Sequence, residues 1–514
     1  MQSSQNQESV LRDPNTSLLL SLPEELVEQI CQQLAFDRNS GSLAFLCRTS
    51  KDLNRIATRV LYSGFSSNGH IRRIALFLRT LCERPDLCTY VRWLSLDGGI
   101  WFNLPEEQTG FIAQAAKRFG FNVMSPLKPD GYPPNEWESE DEGDEDTEGE
   151  NQARCDDDGG ENDQEREEEE ESEEIYAYPR SQLGEYPFET MAQLVIALTP
   201  KIQSLHVEAK QVMCGTGEGA FTMLEELAKR SPPPVSLSHL CHFSFGHEDF
   251  RDVSFKYFEG IIALAPNIRT VLANPCFDQP TYALEDPVNI KNVTDLRFKS
   301  GQLSAQGLRT ILSSCDRLEV FQYYCDTIYA GLDPGCATPR EIADILSRYK
   351  DSLRYLDINL GSREEHQGGI YFGLCIEGQE IISLKAFSCL ETLKIDGTSV
   401  LFPEVGTNKY HTNILTEMLP QSIRTLHLKD MQKEAAKNLI TLTDSLEYFP
   451  HLSEIYLAGN GIGGPLGKFE VIFGDSEIQI LRERLARRGI SFLKRGYWKY
   501  SFTSGGDEET IEYW

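Results

Sequence analysis

His239, Cys241, His242 and His247 form a close group of side chains whose imidazole and thiolate donors are those a zinc ion takes. Around Phe243 and Phe245, however, apolar and polar residues alternate with the period of a strand, which sends neighbouring side chains to opposite faces. No metal or other cofactor is expected there. Gly459 to Gly467, followed by Lys468, superficially resembles a phosphate loop. Such a loop needs Gly where Ile462 stands and Ser or Thr where Phe469 stands, so the segment reads as a turn. No Gly-x-Ser-x-Gly, His-Glu-x-x-His or dinucleotide fingerprint stands in a strand-turn-helix context. Hydrolytic and redox chemistry have no residues to carry them, and the chain is not expected to be an enzyme.

If chemistry does not explain the chain, binding must, and the surfaces for it depend on how its 514 residues are organised. That length exceeds one ordinary compact core but suits a small domain joined to an array of repeats. The formal net charge of −30 is local, because 23 acids and two arginines lie between Glu136 and Glu174, leaving about −9 on the remainder. This stretch has almost no apolar residue and cannot offset its chain entropy by burial, so it is expected to be a disordered acidic insertion over 136–174. Nucleic acid is not an expected partner, since phosphate binding needs clustered Lys and Arg.

The 13 cysteines show no disulfide or zinc-knuckle spacing and read as small buried thiols. The opening residues lack a basic region, and no apolar run approaches the roughly 20 residues that span a bilayer. The expected compartment is the cytosol or nucleus, with no membrane partner.

Residues 1–16 are polar and are expected to be a disordered leader. Over 17–65 the apolar positions step with helical period: Leu22, Leu26, Ile30 and Leu34, then Leu43, Leu46 and Cys47, then Leu53, Ile56 and Val60. Three short helices follow, the first opened by Pro23, Glu24 and Glu25, with a break over Asp37 to Ser42. A segment of this size has more apolar positions than its own core can cover, so it must lean on another surface.

Downstream, the pattern apolar-x-x-apolar-x-apolar recurs about ten times, from Val91, Leu94, Leu96 to Leu452, Ile455, Leu457. Several copies are preceded by helical spacing, as in Ile342, Ile345, Leu346, Tyr349. Leu481, Leu485 and Ile490 followed by Phe492 and Leu493 predict a closing helix and strand. The arrangement resembles leucine-rich-repeat proteins of the long, helix-containing class. The expected fold is therefore α/β, a leucine-rich-repeat solenoid with parallel strands on the concave side and helices on the convex side. It would occupy 66–495, after the small three-helix block and before a tail over 496–514. Its concave face would be built from the x positions, among them Trp93, Ser95, His206, His242, Asp295, Arg297, Gln322, Tyr355, Asp357, Lys394, His427, Glu454 and Tyr456, a mix of charge and aromatics suited to protein.

The run Ser21-Leu22-Pro23-Glu24-Glu25-Leu26-Val27-Glu28-Gln29-Ile30, continued through Leu34, Leu43, Leu46 and Cys47 to Val60-Leu61-Tyr62, resembles an F-box of the fungal type. Cys47 stands where many F-boxes carry an aliphatic residue, and the break after the first helix is longer than usual. This resemblance implies that Leu22, Pro23, Leu26, Ile30, Leu34, Leu43, Leu46 and Cys47 dock on the Skp adaptor, and through it a cullin, of a Skp-cullin-F-box ubiquitin ligase. The repeats would then hold a target protein whose identity the sequence does not specify. The competing expectation is a leucine-rich-repeat scaffold or acidic chaperone outside the ligase, binding basic proteins through 136–174.

Overall fold

The computed structural model describes residues 19, 22–36, 40–98, 106–121, 187–208, 221–246, 255–274, 276–277, 289–299, 301–325, 336–360, 379–400, 413–429, 435–458 and 475–495. The leader, the acidic insertion, His247, the glycine-rich segment before Lys468 and the tail lie outside them.

Three helices open the described chain: α1 (Glu24–Phe36), α2 (Ser40–Thr49) and α3 (Lys51–Leu61). Glu24 and Glu25 occupy the first turn of α1, where carboxylates meet the positive end of the helix dipole. Ser50 caps α3 by accepting from the Leu53 N–H at 3.2 Å, satisfying a donor that the first turn would leave open. Val27, Cys31, Leu43, Leu53, Ile56, Ala57 and Val60 pack into a small core separate from that of the rest of the chain. The break between α1 and α2 is shorter than the sequence suggests. Ser40, Gly41 and Ser42 are already the first turn of α2, because polar residues are tolerated in a first turn whose N–H groups have no partner within the helix.

After this block the chain runs α4 (Ile71–Glu83), α5 (Glu106–Arg118), α6 (Pro187–Leu198), α7 (Thr222–Lys229), α8 (Glu259–Leu264), α9 (Ala305–Ser313), α10 (Pro339–Leu346), α11 (Ile414–Met418), α12 (Ala435–Asp444) and α13 (Asp475–Arg487). Between them lie β1 (Gly64–Ser66), β2 (Trp93–Asp97), β3 (Ser204–Glu208), β4 (His242–Gly246), β5 (Thr270–Asn274), β6 (Cys276–Phe277) and β7 (Asp295–Phe298). The remaining strands are β8 (Gly301–Gln302), β9 (Val320–Tyr324), β10 (Tyr355–Asn359), β11 (Thr392–Asp396), β12 (Thr425–Lys429), β13 (Glu454–Ala458) and β14 (Ser491–Arg495). All but β6 and β8 form one 12-stranded sheet, every pairing parallel and the order that of the chain. β6 and β8 pair with each other.

The register explains why the apolar pattern has to recur. Leu94, Leu205, Phe243, Val271, Leu296, Phe321, Leu356, Leu393, Leu426, Ile455 and Phe492 stand opposite one another across successive strands. Each copy therefore supplies one residue to a continuous apolar row, and the residue two further on supplies the next row, from Leu96 to Leu457. Both rows face the helices and form a single core. One stretch of it is aromatic: Phe245 packs 4.5 Å from Phe258 and edge-on at 5.1 Å to Phe255. Tyr323 is fully buried there, and its hydroxyl accepts from the Leu303 N–H at 3.0 Å. Side-chain donors stitch adjacent units together, as where Ser352 donates to the Leu318 carbonyl and Ser422 to that of Leu390, each at 2.8 Å.

The helical block ends earlier than position 65. Gly64 to Ser66 is the first strand of the sheet, and Phe65 stacks on Phe77 at 4.1 Å. Gly64 is required because the Trp93 indole lies directly over it, 1.7 Å from where a Cβ would stand. Among the described residues no helix is long and apolar enough to cross a membrane.

Candidate interaction surfaces

Leu22, Leu26 and Ile30 recur every four residues, so they share one face of α1 and its entry, while Val27 and Cys31 share the face that packs inward. The outward three are 38, 44 and 39% exposed, far more than apolar core positions. Pro23 is exposed beside them, and its carbonyl accepts from the N–H groups of Leu26 and Val27 at 3.0 and 3.2 Å, starting the helix. Glu24 anchors α1 to α3 through two hydrogen bonds of 2.6 Å from the Arg55 guanidinium. That contact holds its carboxyl below the usual range.

The remaining predicted contact residues divide. Leu34 and Leu46 are half-buried and, with Leu19, Ile30, Gly41, Ser42 and Phe45, line an open groove of about 530 Å³. Cys47 is also half-buried and turns toward α3, its sulfur 3.5 Å from the Thr58 hydroxyl. Leu43 belongs to the block's own core at 2% exposure, so it supports the outer face and is not part of it. Phe45, absent from the sequence-based set, is 68% exposed at the groove. It stands off the helical stride set by Leu43, Leu46 and Cys47, and only its being an aromatic in a short amphipathic helix marked it.

The second surface is the sheet face away from the core. One cross-strand row on it reads Ser95, His206, Ser244, Leu272, Arg297, Gln322, Asp357, Lys394, His427, Tyr456. At the near end Trp93 is exposed over Gly64 and His242 is exposed on β4. His206 shares a 2.8 Å hydrogen bond with Ser244 and lies 3.8 Å from Glu208.

From β7 onward the face becomes an interlocked polar cluster. Arg297 donates from Nε and Nη2 to the two oxygens of Asp295, at 2.8 and 2.9 Å. Asp357 lies on this face as expected but is only 1% exposed. Its carboxylate accepts from Lys429 at 2.9 Å, Tyr324 at 2.8 Å and Tyr355 at 3.0 Å, and this pairing permits a charge at that depth. Gln322 beside it is buried as well. Burial, with the Asp357 charge next, pushes the Tyr355 phenol well above its usual value. The Lys394 ammonium lies 5.3 Å from the centre of the Tyr355 ring, and His427 stacks on Tyr456 at 4.1 Å. The Tyr456 hydroxyl donates to Glu454 at 3.1 Å. Tyr324 and Lys429 escaped the sequence-based set because they stand one alternate position beyond the repeated pattern, at strand ends.

Of the histidine and cysteine group, His239, Cys241 and His242 lie within the described residues and His247 lies outside them. Cys241 donates its thiol to the His239 carbonyl at 3.3 Å, and among the described residues no three His, Cys, Asp or Glu side chains are grouped to hold an ion. The described cysteines are all free thiols. No known family model matches this chain, and neither does any curated protein. The two surfaces, an apolar helical ridge and a polar sheet face, are thus characterised by their own geometry.

Proposed function

We propose that this protein is the substrate-recognition adaptor of a Skp-cullin-F-box ubiquitin ligase. In this reading the segment expected over 17–65, whose helices run from Glu24 to Leu61, is an F-box that docks on the Skp adaptor, and the parallel sheet with its helices is a leucine-rich-repeat solenoid that holds a target protein. The protein works in the cytosol or nucleus and performs no chemistry itself; an associated ubiquitin-conjugating enzyme transfers ubiquitin. Its contribution is proximity, the raised effective concentration of target lysines.

One observation carries the reading: the helical block has a closed core of its own, yet presents Leu22, Leu26, Ile30 and Phe45 outward. A block serving only to cap the end of the sheet would turn such residues toward the sheet. An apolar ridge left in water is instead what a partner's surface covers. The test is co-purification with the Skp adaptor. Leu22→Asp with Leu26→Asp should abolish capture, each anchor being worth about 2 kcal/mol when centrally placed. Both side chains are already exposed, so the melting temperature should hold. Undiminished capture removes the assignment.

A further inference from the structure

Lys394 stands mid-strand in β11 on the polar sheet face and is half-buried. Among the described residues its ammonium makes no ion pair or hydrogen bond, although Asp357 stands opposite it on β10 and Asp295 lies further along the same face on β7. Both are engaged elsewhere, Asp295 with Arg297 and Asp357 with Lys429 and two tyrosine hydroxyls. Asp396, at the end of the same strand, accepts from the Leu360 and Ser399 N–H groups and the Ser399 hydroxyl. Burial depresses the Lys394 pKa; Asp357 opposes this, while Lys429 and Arg297 add to it. A cation so placed lacks the counter-charge that its partial desolvation calls for.

A second observation falls in the same place. Asn359 lies two residues beyond Asp357 on the same face, opposite Tyr324, and is 1% exposed. Neither its amide nitrogen nor its amide oxygen has a hydrogen-bond partner among the described residues. Buried amides are almost always paired, so this one leaves a donor and an acceptor unsatisfied on the same face as the cluster.

We propose that Lys394, flanked by the Tyr355 ring and the stacked rings of His427 and Tyr456, anchors an oxyanion carried by an extended segment of a partner protein. The oxyanion is a carboxylate or a phosphate, groups that share the acceptor chemistry an ammonium needs. An extended segment fits because the row from Arg297 to Tyr456 crosses six strands, roughly 24 Å at the spacing of neighbouring strands. A nucleic acid does not fit, since Asp295, Asp357 and Glu454 would repel a continuous phosphate backbone. The proposal deepens the receptor reading and rests on it in taking this face as the one that holds the target.

The experiment measures fluorescence anisotropy of the full chain with four pools of degenerate seven-residue peptides, identical except that the central residue is phosphoserine, Glu, Gln or Lys. At least one anionic pool should bind about tenfold tighter than the Gln pool, the scale of one charge-assisted hydrogen bond. Comparing the phosphoserine and Glu pools identifies the source of the oxyanion. Lys394→Gln should erase the preference and Lys394→Arg should keep most of it, both with wild-type melting curves. Equal binding of the anionic and Gln pools, binding of none, or a preference that survives Lys394→Gln overturns the proposal. Capture of the Skp adaptor is measured on the same preparations. Adaptor binding without anion preference sinks this inference alone, and anion preference without adaptor binding sinks the ligase reading alone.

Discussion

Replacing Asp357 by Asn should destabilise the middle of the sheet far more than a surface charge change does. The substitution leaves the size of the side chain but strips Lys429, only 17% exposed, of its counter-charge, and replaces the carboxylate that two tyrosine hydroxyls donate to. Breaking a buried pair by removing one member costs about 3 to 5 kcal/mol, and the partial exposure of Lys429 puts this case at the lower end, about 3 kcal/mol. Urea unfolding at unchanged m-value should show it as a lowered midpoint. Amide exchange should localise the loss to β9, β10, β11 and β12, which carry the cluster. Adding Lys429→Met removes the stranded charge and should restore most of the stability, giving a coupling energy of about 2 kcal/mol between the two sites. A single-mutant cost below about 1 kcal/mol, or a double mutant no more stable than the single, would refute the account of this pair.

Two other outcomes follow from packing and burial. Gly260 in α8 sits so close to α7 that a Cβ would stand 2.4 Å from the Glu225 backbone nitrogen, so Gly260→Ala should cost about 1–3 kcal/mol, read as a lowered melting temperature. A wild-type melting curve for Gly260→Ala would show that the two helices can part freely. Glu189, in the first turn of α6, has its carboxyl pushed up to about 8 by burial. Because the folded state then holds a proton the unfolded chain has released, stability should fall as pH rises from about 4.5 to 8. Urea midpoints across that range should flatten in Glu189→Gln, and an unchanged slope would rule the group out.

Much of this architecture could be read from residue order because ten of the 12 strands of the main sheet carry their own apolar triplet. In all ten triplets the second and third residues fall on a strand and the first lies two positions before it, including the weak Ile268, Val271, Ala273 at β5, and the closing Phe492 falls on β14. β1 escaped because Gly64-Phe65-Ser66 contains one apolar residue and owes its place to the Trp93 strand it pairs with. The α1 stride puts Leu22, Leu26 and Ile30 on one face, which is the outward one, but the side of α2 does not follow from spacing, and Leu43 turns inward while Phe45 turns out. Asp357 stands on the face expected for it, but its depth there was not legible. Its burial depends on Lys429, 72 residues away, and no local pattern announces such a pairing.

Strict nearest-neighbour strand order also bears on how this polypeptide tolerates growth. Between Asp97 and Ser204 the chain takes about three times the length it uses between Glu208 and His242, yet both intervals end in the same lateral step of the sheet. Treated as flexible linkers, the longer interval adds only about 1 kcal/mol of closure entropy, since that cost rises with the logarithm of length. Sequence can thus be spliced between adjacent rungs without re-routing any other rung, which lets such a ladder accumulate new appendages at little thermodynamic expense.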